Sequence, residues 1–173
     1  MRDETNREKL EAFLRELGQA VTSPGRIYLT GGGTAVLHGW RTMTIDVDLK
    51  ALPEPAGLFE AIARLKDRLS INIEMASPDD FIPVLPGWED RSLFIVRHGK
   101  IDFYHYDPYS QALSKLERSH ARDETDVQAM AERGLIDKSR LWEVFQEIEP
   151  ALLRYPALDP AGFRRRVATF CES

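Results

Sequence analysis

The fold is indicated by residues 27–50, which read IYLTGGGTAVLHGWRTMTIDVDLK. The run opens with a short apolar stretch that predicts a buried strand over 27–30, and three glycines follow it directly. A short helix is expected over residues 34–38. Residues 44–50 then alternate apolar and polar side chains, which is typical of a second strand. This segment therefore predicts a strand, a glycine turn, a helix and another strand in succession.

The glycine turn, Gly31, Gly32 and Gly33, lies where a strand meets a helix. Glycine lets the backbone approach a ligand closely, and amide N–H groups at a helix N-terminus favour an anion. The turn is therefore interpreted either as a phosphate seat or as an ordinary tight turn. Its spacing does not match GxGxxG, and no Gly-Lys-Ser/Thr follows, so the dinucleotide-binding and P-loop motifs are excluded.

Two aspartates, Asp46 and Asp48, lie on the second strand. Because side chains alternate along a strand, both carboxylates should project from one face, with Cα atoms roughly 6.5 Å apart. Ile45, Val47 and Leu49 should then enter the core. Two neighbouring carboxylates repel each other unless a cation lies between them, and hard oxygen ligands favour Mg²⁺ or Mn²⁺. A solvated strand face is the alternative interpretation.

The rest of the chain predicts an α/β or α+β fold with about four or five strands. Helical periodicity or β-rich runs identify the remaining elements: helices over 7–21, 56–69, 109–119, 123–133, 138–153 and 160–171, a strand over 71–75, a capping turn at 77–80, and a hairpin of 92–97 with 100–106. We expect a mixed sheet packed against helices, followed by a helical C-terminal section. Residues 1–107 would form the core and 108–173 the helical section, together making one continuous domain.

Composition narrows the class of protein. The chain has 173 residues, is 43% hydrophobic and carries a formal net charge of -5, which is typical of one globular domain and argues against nonspecific coating of nucleic acid. The longest run without Lys, Arg, Asp or Glu, residues 27–40, is too short to cross a bilayer, so no membrane association is expected. A mixed-charge N-terminus leads us to expect a cytoplasmic protein. Cys171 is the single cysteine, and the four histidines lack zinc-ligand spacing.

Together the glycine turn and the Asp-x-Asp strand resemble the signature of the nucleotidyltransferase superfamily with the DNA polymerase β type of fold. Residues 39–41, Gly-Trp-Arg, are similar to the AbiEii-like and related uncharacterised bacterial branch, some members of which are toxins of toxin–antitoxin systems. Lys115, followed by Arg122-Asp123 and Asp126, resembles the Lys…Arg-Asp-x-x-Asp helix motif of that branch. The resemblance covers about residues 27–130.

This resemblance implies Mg²⁺-dependent transfer of a nucleoside monophosphate from a nucleoside triphosphate to a hydroxyl group, with release of pyrophosphate. Asp46 and Asp48 would hold two Mg²⁺ ions, for which Mn²⁺ could substitute. The family supplies a third carboxylate. Two residues are candidates for it. Asp102 lies on a strand that could pair nearby, and its carboxylate could bind the metal, whereas Asp123 lies in the helix motif. The sequence leaves the choice between them open.

The nucleotide side of the site is implied in the same way. Backbone amides of the glycine turn (31–33) and of Thr34 would bind phosphate oxygens, with the Thr34 hydroxyl as a further donor, and Thr44 belongs to the same motif. Lys115 and Arg41 would neutralise the triphosphate, although basic residues often face only solvent. Together with the carboxylates, these residues complete the implied active site.

The acceptor is not readable from the sequence. RNA such as tRNA, a protein and a small molecule all remain open, and a cognate antitoxin or other partner protein is possible. An alternative hypothesis is a nucleotidyltransferase-fold binding protein that no longer catalyses. A metal-dependent glycosyltransferase also uses Asp-x-Asp, but such enzymes usually have a nucleotide-binding half before that motif, for which the 45 residues preceding Asp46 leave little room.

Overall fold

The computed structural model describes residues 3–173, which form two compact units. The first unit contains the described residues up to Ser77 together with Ser92–Tyr106. The second contains Pro78–Arg91 and Asp107–Ser173. The second unit thus includes the short segment 78–91. The boundary predicted from the sequence, after residue 107, instead assigns that segment to the catalytic core.

The elements follow one another along the chain with short connections. In chain order they are β1 (Thr5–Asn6), α1 (Arg7–Ala20), β2 (Gly25–Thr30), α2 (Gly31–His38), β3 (Met43–Thr44), β4 (Asp46–Ala51), α3 (Leu58–Leu69), β5 (Asn72–Glu74), α4 (Trp88–Arg91), β6 (Leu93–His98), β7 (Ile101–His105), α5 (Pro108–Arg118), α6 (Ala121–Glu132), α7 (Lys138–Ile148) and α8 (Pro160–Glu172). Pro78–Asp80 and Glu149–Arg154 are 3-10 turns.

A five-stranded mixed sheet forms the frame of the first unit, in the order β5-β4-β2-β7-β6. Strand β2 is antiparallel to β4 and parallel to β7, while β4 and β5 run parallel. Strands β6 and β7 form the hairpin that the sequence predicts, turning at Gly99 with φ of +57°. Strands β1 and β3 pair in a separate two-stranded sheet. The predicted mixed α/β class with a helical C-terminal section is confirmed.

Apolar side chains on alternate strand positions and on one face of each helix form the core of the first unit. The buried set comes mainly from α1, α3 and the sheet, and includes Leu10, Phe13, Leu17, Ile27, Leu29, Val47, Leu49, Ala61, Ile73 and Phe103. Val47 and Leu49 are buried as expected. The expectation for Ile45 is wrong: its side chain is 49% exposed, because β4 begins only at Asp46 and Ile45 lies in the break after β3.

Helix ends in the second unit follow from capping residues and prolines. Asp107 caps α5 by accepting a hydrogen bond from the Tyr109 backbone, and Asp137 caps α7 through the Arg140 backbone N–H. The helix predicted over 138–153 ends at Ile148, and a 3-10 turn containing Pro150 follows, because proline cannot donate the helical hydrogen bond. No helix of residues 3–173 is long and apolar enough to cross a membrane.

The chain leaves the second unit after Arg91 and returns to it at Asp107, and these two residues bond to each other. Arg91 donates from Nε and one terminal nitrogen to the two carboxylate oxygens of Asp107, at 3.1 and 2.8 Å. The Asp107 side chain is fully buried and also accepts a hydrogen bond from Ser110 Oγ. This two-pronged ion pair joins the two stretches of chain from which the second unit is built.

Candidate active site

The glycine turn is the first part of the site, and it forms the N-terminus of α2. Gly31 has φ of +60°, a left-handed conformation that favours glycine. A Cβ atom at Gly31 would lie 3.2 Å from Asp48 Oδ2, and one at Gly32 would collide with Thr44 Oγ1. Both glycines therefore allow a close approach between the start of α2 and the strand segment that carries the aspartates.

Asp46 and Asp48 form the second part of the site, on β4. Asp48 lies opposite Thr30, the last residue of β2, so its carboxylate is placed beside the start of α2. Both aspartates are partly buried. The alternation of β4 puts the two carboxylates on one face, while Val47 between them enters the core. The sheet thus brings the predicted carboxylate pair and the predicted glycine turn together.

Strand β5 adds two polar residues that the sequence analysis did not assign to the site. Asn72 lies beside Asp46 and Glu74 beside Asp48 in the parallel β4–β5 pairing. Residues paired directly across two strands project to the same face, so Glu74 lies on the same face of the sheet as Asp48. Asn72 is buried and its amide nitrogen donates to Asp46 Oδ1. The alternating pattern of residues 71–75 shows that Asn72 and Glu74 share one face of a strand. Only the order of strands in the sheet places that face next to the aspartates.

Asp102 is not brought to this pair. Strand β7 pairs with β2 and not with β4, and Asp102 lies opposite Arg26. Arg26 is four residues before Thr30, which amounts to about 13 Å along the strand. Asp102 instead accepts two hydrogen bonds from Arg97, at 2.6 and 2.9 Å, and these bonds hold its carboxyl pKa below the ordinary value. Glu74 occupies the position adjacent to Asp48 that Asp102 was expected to take.

Lys115 and Asp123 lie in the second unit, within a buried network between α5 and α6. Lys115 Nζ is 2.9 Å from Asp126 Oδ2 and 3.6 Å from Asp123 Oδ1, and all three side chains are buried. Arg118, rather than the adjacent Arg122, donates two hydrogen bonds to Asp123. The helix motif that the sequence singled out therefore forms ion pairs that join two helices.

Asp123 also caps α6, by accepting a hydrogen bond from the His120 backbone N–H. Burial acts to raise the pKa of Asp123, but the hydrogen bonds from Arg118 and the charges of Lys115 and Arg118 outweigh it, so the pKa is lowered. Asp123 is therefore held ionised by its neighbours within the second unit.

Three further predicted residues have defined structural contacts. The buried Thr34 hydroxyl donates to Leu29 O at 3.2 Å and lies 3.1 Å from His105 Nδ1, so it is engaged inside the fold. The Thr44 hydroxyl donates to Asp46 O at 2.9 Å. The Arg41 backbone N–H lies 3.4 Å from Ala35 O, just beyond the end of α2. Thr44 thus holds the backbone at Asp46, whereas Thr34 stabilises the turn from within.

His105 is a buried titratable group beneath this turn. Burial, assisted by the charge of His38, lowers the pKa of His105 to about 3. The two imidazole rings stack with centroids 4.3 Å apart, and Trp40 stacks on His38 at 5.5 Å. Since the Thr34 hydroxyl donates to Leu29 O, the neutral His105 ring donates from Nδ1 to Thr34 Oγ1. A neutral His105 therefore belongs to the support of the glycine turn.

A glycine turn at a helix N-terminus, placed beside two carboxylates on the neighbouring antiparallel strand, resembles the arrangement of the nucleotidyltransferase class. Among residues 3–173, no three His, Cys, Asp or Glu side chains are gathered into a cluster that could hold a metal ion. The family model described as "Nucleotidyltransferase of unknown function (DUF6036)" matches residues 8–157, and the chain belongs to that family. Neither curated proteins nor solved structures gave a match.

Proposed function

We propose that this chain transfers a nucleoside monophosphate from a nucleoside triphosphate to a hydroxyl group of an acceptor, with Mg²⁺ as cofactor. The observation that carries the proposal is the approach of Asp48 Oδ2 to the backbone of Gly31, at the start of α2. A helix N-terminus attracts phosphate, whereas a carboxylate repels it. A cation held by Asp46 and Asp48 would offset that repulsion.

The donor set fits Mg²⁺. Asp46 and Asp48 offer hard carboxylate oxygens from one strand face. Mg²⁺ is usually bound by one or two carboxylates together with substrate phosphates, rather than by a complete protein cage. Two carboxylates without a preformed three-residue cluster are compatible with that mode. When bound, Mg²⁺ would offset the negative charge that gathers on the phosphate oxygens.

The glycine turn would position the triphosphate. Backbone N–H groups at the N-terminus of a helix point along the helix axis and can donate to phosphate oxygens. Gly31, with its left-handed backbone, is partly exposed, whereas Gly32 is buried and has no side chain to displace Thr44, so the start of α2 lies close to Asp48. The acceptor oxygen would form its bond to the α-phosphorus while the bond from that phosphorus to pyrophosphate breaks.

Glu74 is the candidate to accept the proton of the attacking hydroxyl. It lies in register with Asp48, and its side chain is exposed, so an acceptor can reach it from solvent. A carboxylate within hydrogen-bond reach of the hydroxyl can act as a general base, and such groups contribute about 10²–10⁴-fold. Glu74 therefore replaces Asp102 and Asp123 as our candidate for the third carboxylate.

The test is a labelling screen with the four α-³²P nucleoside triphosphates and Mg²⁺, offered to total tRNA, to a protein extract and to hydroxylated small molecules. We expect one acceptor class to be labelled by the wild type and not by Asp46→Asn or Asp48→Asn. Asp67→Asn, an exposed carboxylate on α3, is the matched control and should label normally. Equal labelling by wild type and Asp48→Asn would refute the proposal. Triphosphate binding without turnover would favour the inactive binding protein.

A further inference from the structure

We propose that Asn72 is a positioning residue that orients the Asp46 carboxylate for the divalent cation. This inference rests on the proposed function, because it assumes that Asp46 binds a cation. Asn72 lies directly beside Asp46 in the parallel pairing of β5 with β4, and its amide nitrogen donates to Asp46 Oδ1. The contact therefore joins two side chains on the same face of the sheet, in addition to the main-chain ladder.

The burial of Asn72 indicates that this contact is specific. Its side chain is only 2% exposed, and it lies between the core residues Ile71 and Ile73. A buried amide costs stability unless it is hydrogen-bonded, and a β-branched apolar residue would suit a strand better. The hydrogen bond to Asp46 compensates for that cost, and it connects the core to the carboxylate pair.

Asp46 is held at two points, one on its backbone and one on its side chain. Thr44 Oγ1 donates to the Asp46 carbonyl oxygen at 2.9 Å, which holds the backbone, and Asn72 holds Oδ1 of the side chain. Fixing one carboxylate oxygen sets the direction of the other. Asn72 does this without adding negative charge, whereas an aspartate there would place a fourth carboxylate beside Asp46, Asp48 and Glu74.

Outer-shell partners that orient a metal ligand typically contribute 10–100-fold to metal affinity. Asn72→Leu keeps the approximate volume of the side chain and removes the donor. We expect it to weaken Mn²⁺ binding 10–100-fold, measured as free Mn²⁺ by electron paramagnetic resonance in the presence of a nucleoside triphosphate. The Mg²⁺ concentration for half-maximal labelling should rise by the same factor, while kcat at saturating Mg²⁺ changes much less.

Ile73→Val is the matched control, because Ile73 is on the same strand but packs in the core on the opposite face. It should loosen the core without changing Mn²⁺ affinity. If Asn72→Leu binds Mn²⁺ as tightly as the wild type, the positioning role is overturned. Equal weakening by Ile73→Val would also overturn it, because the effect would then come from the stability of the strand.

A measurement on the wild type covers the case in which Asn72→Leu does not fold. The Asn72 side-chain amide protons should shift in NMR spectra when Mg²⁺ and nucleotide are added, and the Asp46→Asn variant should lose that shift. Unmoved Asn72 protons in a protein that binds Mg²⁺ would overturn the inference. A wild type that binds neither Mn²⁺ nor Mg²⁺ would instead overturn the proposed function.

Discussion

Acid should destabilise this protein through His105, by an amount that the lowered pKa of the buried ring determines. The pKa of His105 is lowered to about 3 in the folded chain, against an ordinary value of 6.5. Above pH 6.5 the ring is neutral in both states, so it makes no pH-dependent contribution. Between pH 6.5 and 3 the unfolded chain binds a proton at this residue that the folded chain does not. The free energy of unfolding therefore decreases as the pH is lowered. At pH 4.5 the loss amounts to about 3 kcal/mol.

The assay is urea unfolding of the wild type and of His105→Gln at pH 7.5, 6.0 and 4.5. His105→Gln removes the titrating ring and retains a side chain that can donate to Thr34 Oγ1. We expect the variant to be less stable at pH 7.5, because the substitution disturbs buried packing. The free energy of unfolding of the wild type should then fall by about 3 kcal/mol more than that of the variant between pH 7.5 and 4.5. Parallel pH profiles for the two proteins would refute the reasoning.

Three other predictions test separate parts of the structure. Gly32→Ala places a Cβ against Thr44 Oγ1, so thermal unfolding should reveal a loss of about 1–3 kcal/mol, together with weaker triphosphate binding; an unchanged melting temperature would contradict this contact. Glu74→Gln should reduce labelling about 10²–10⁴-fold without loss of fold, whereas Asp102→Asn should label as well as the wild type. Loss of labelling in Asp102→Asn but not in Glu74→Gln would instead favour Asp102 as the third carboxylate. Lys115→Met leaves two buried carboxylates without their shared cation, and should cost about 3–5 kcal/mol in denaturant unfolding; a neutral result would show that the network contributes little.

The parts of the site that were predictable from the sequence depend on local chain periodicity. Asp46 and Asp48 were placed on one strand face because alternation is a property of a single strand. The glycine turn was recognisable because Gly31–Gly33 separate an apolar run from a helical one. Most helix boundaries were also predictable, since capping residues and prolines act within one turn.

The parts that were missed depend on which strands are neighbours. Asp102 and Glu74 both lie on strands with alternating patterns, and only the order β5-β4-β2-β7-β6 puts Glu74 beside Asp48 and moves Asp102 away. Strand order is set by the packing of the whole sheet, so one sequence does not reveal it. Ile45 was misplaced because the break between β3 and β4 lies within a continuous β-rich run.

The ion pair of Arg91 and Asp107 has a consequence for how the chain can be divided. Because the 92–106 hairpin is interleaved between two stretches of the second unit, neither unit corresponds to a single contiguous fragment. A truncation after residue 107 would keep segment 78–91 but remove the helices that share its unit, exposing Ile82, Leu85 and Trp88. Fusion or excision at that point would therefore divide the second unit and expose part of its apolar interior to solvent.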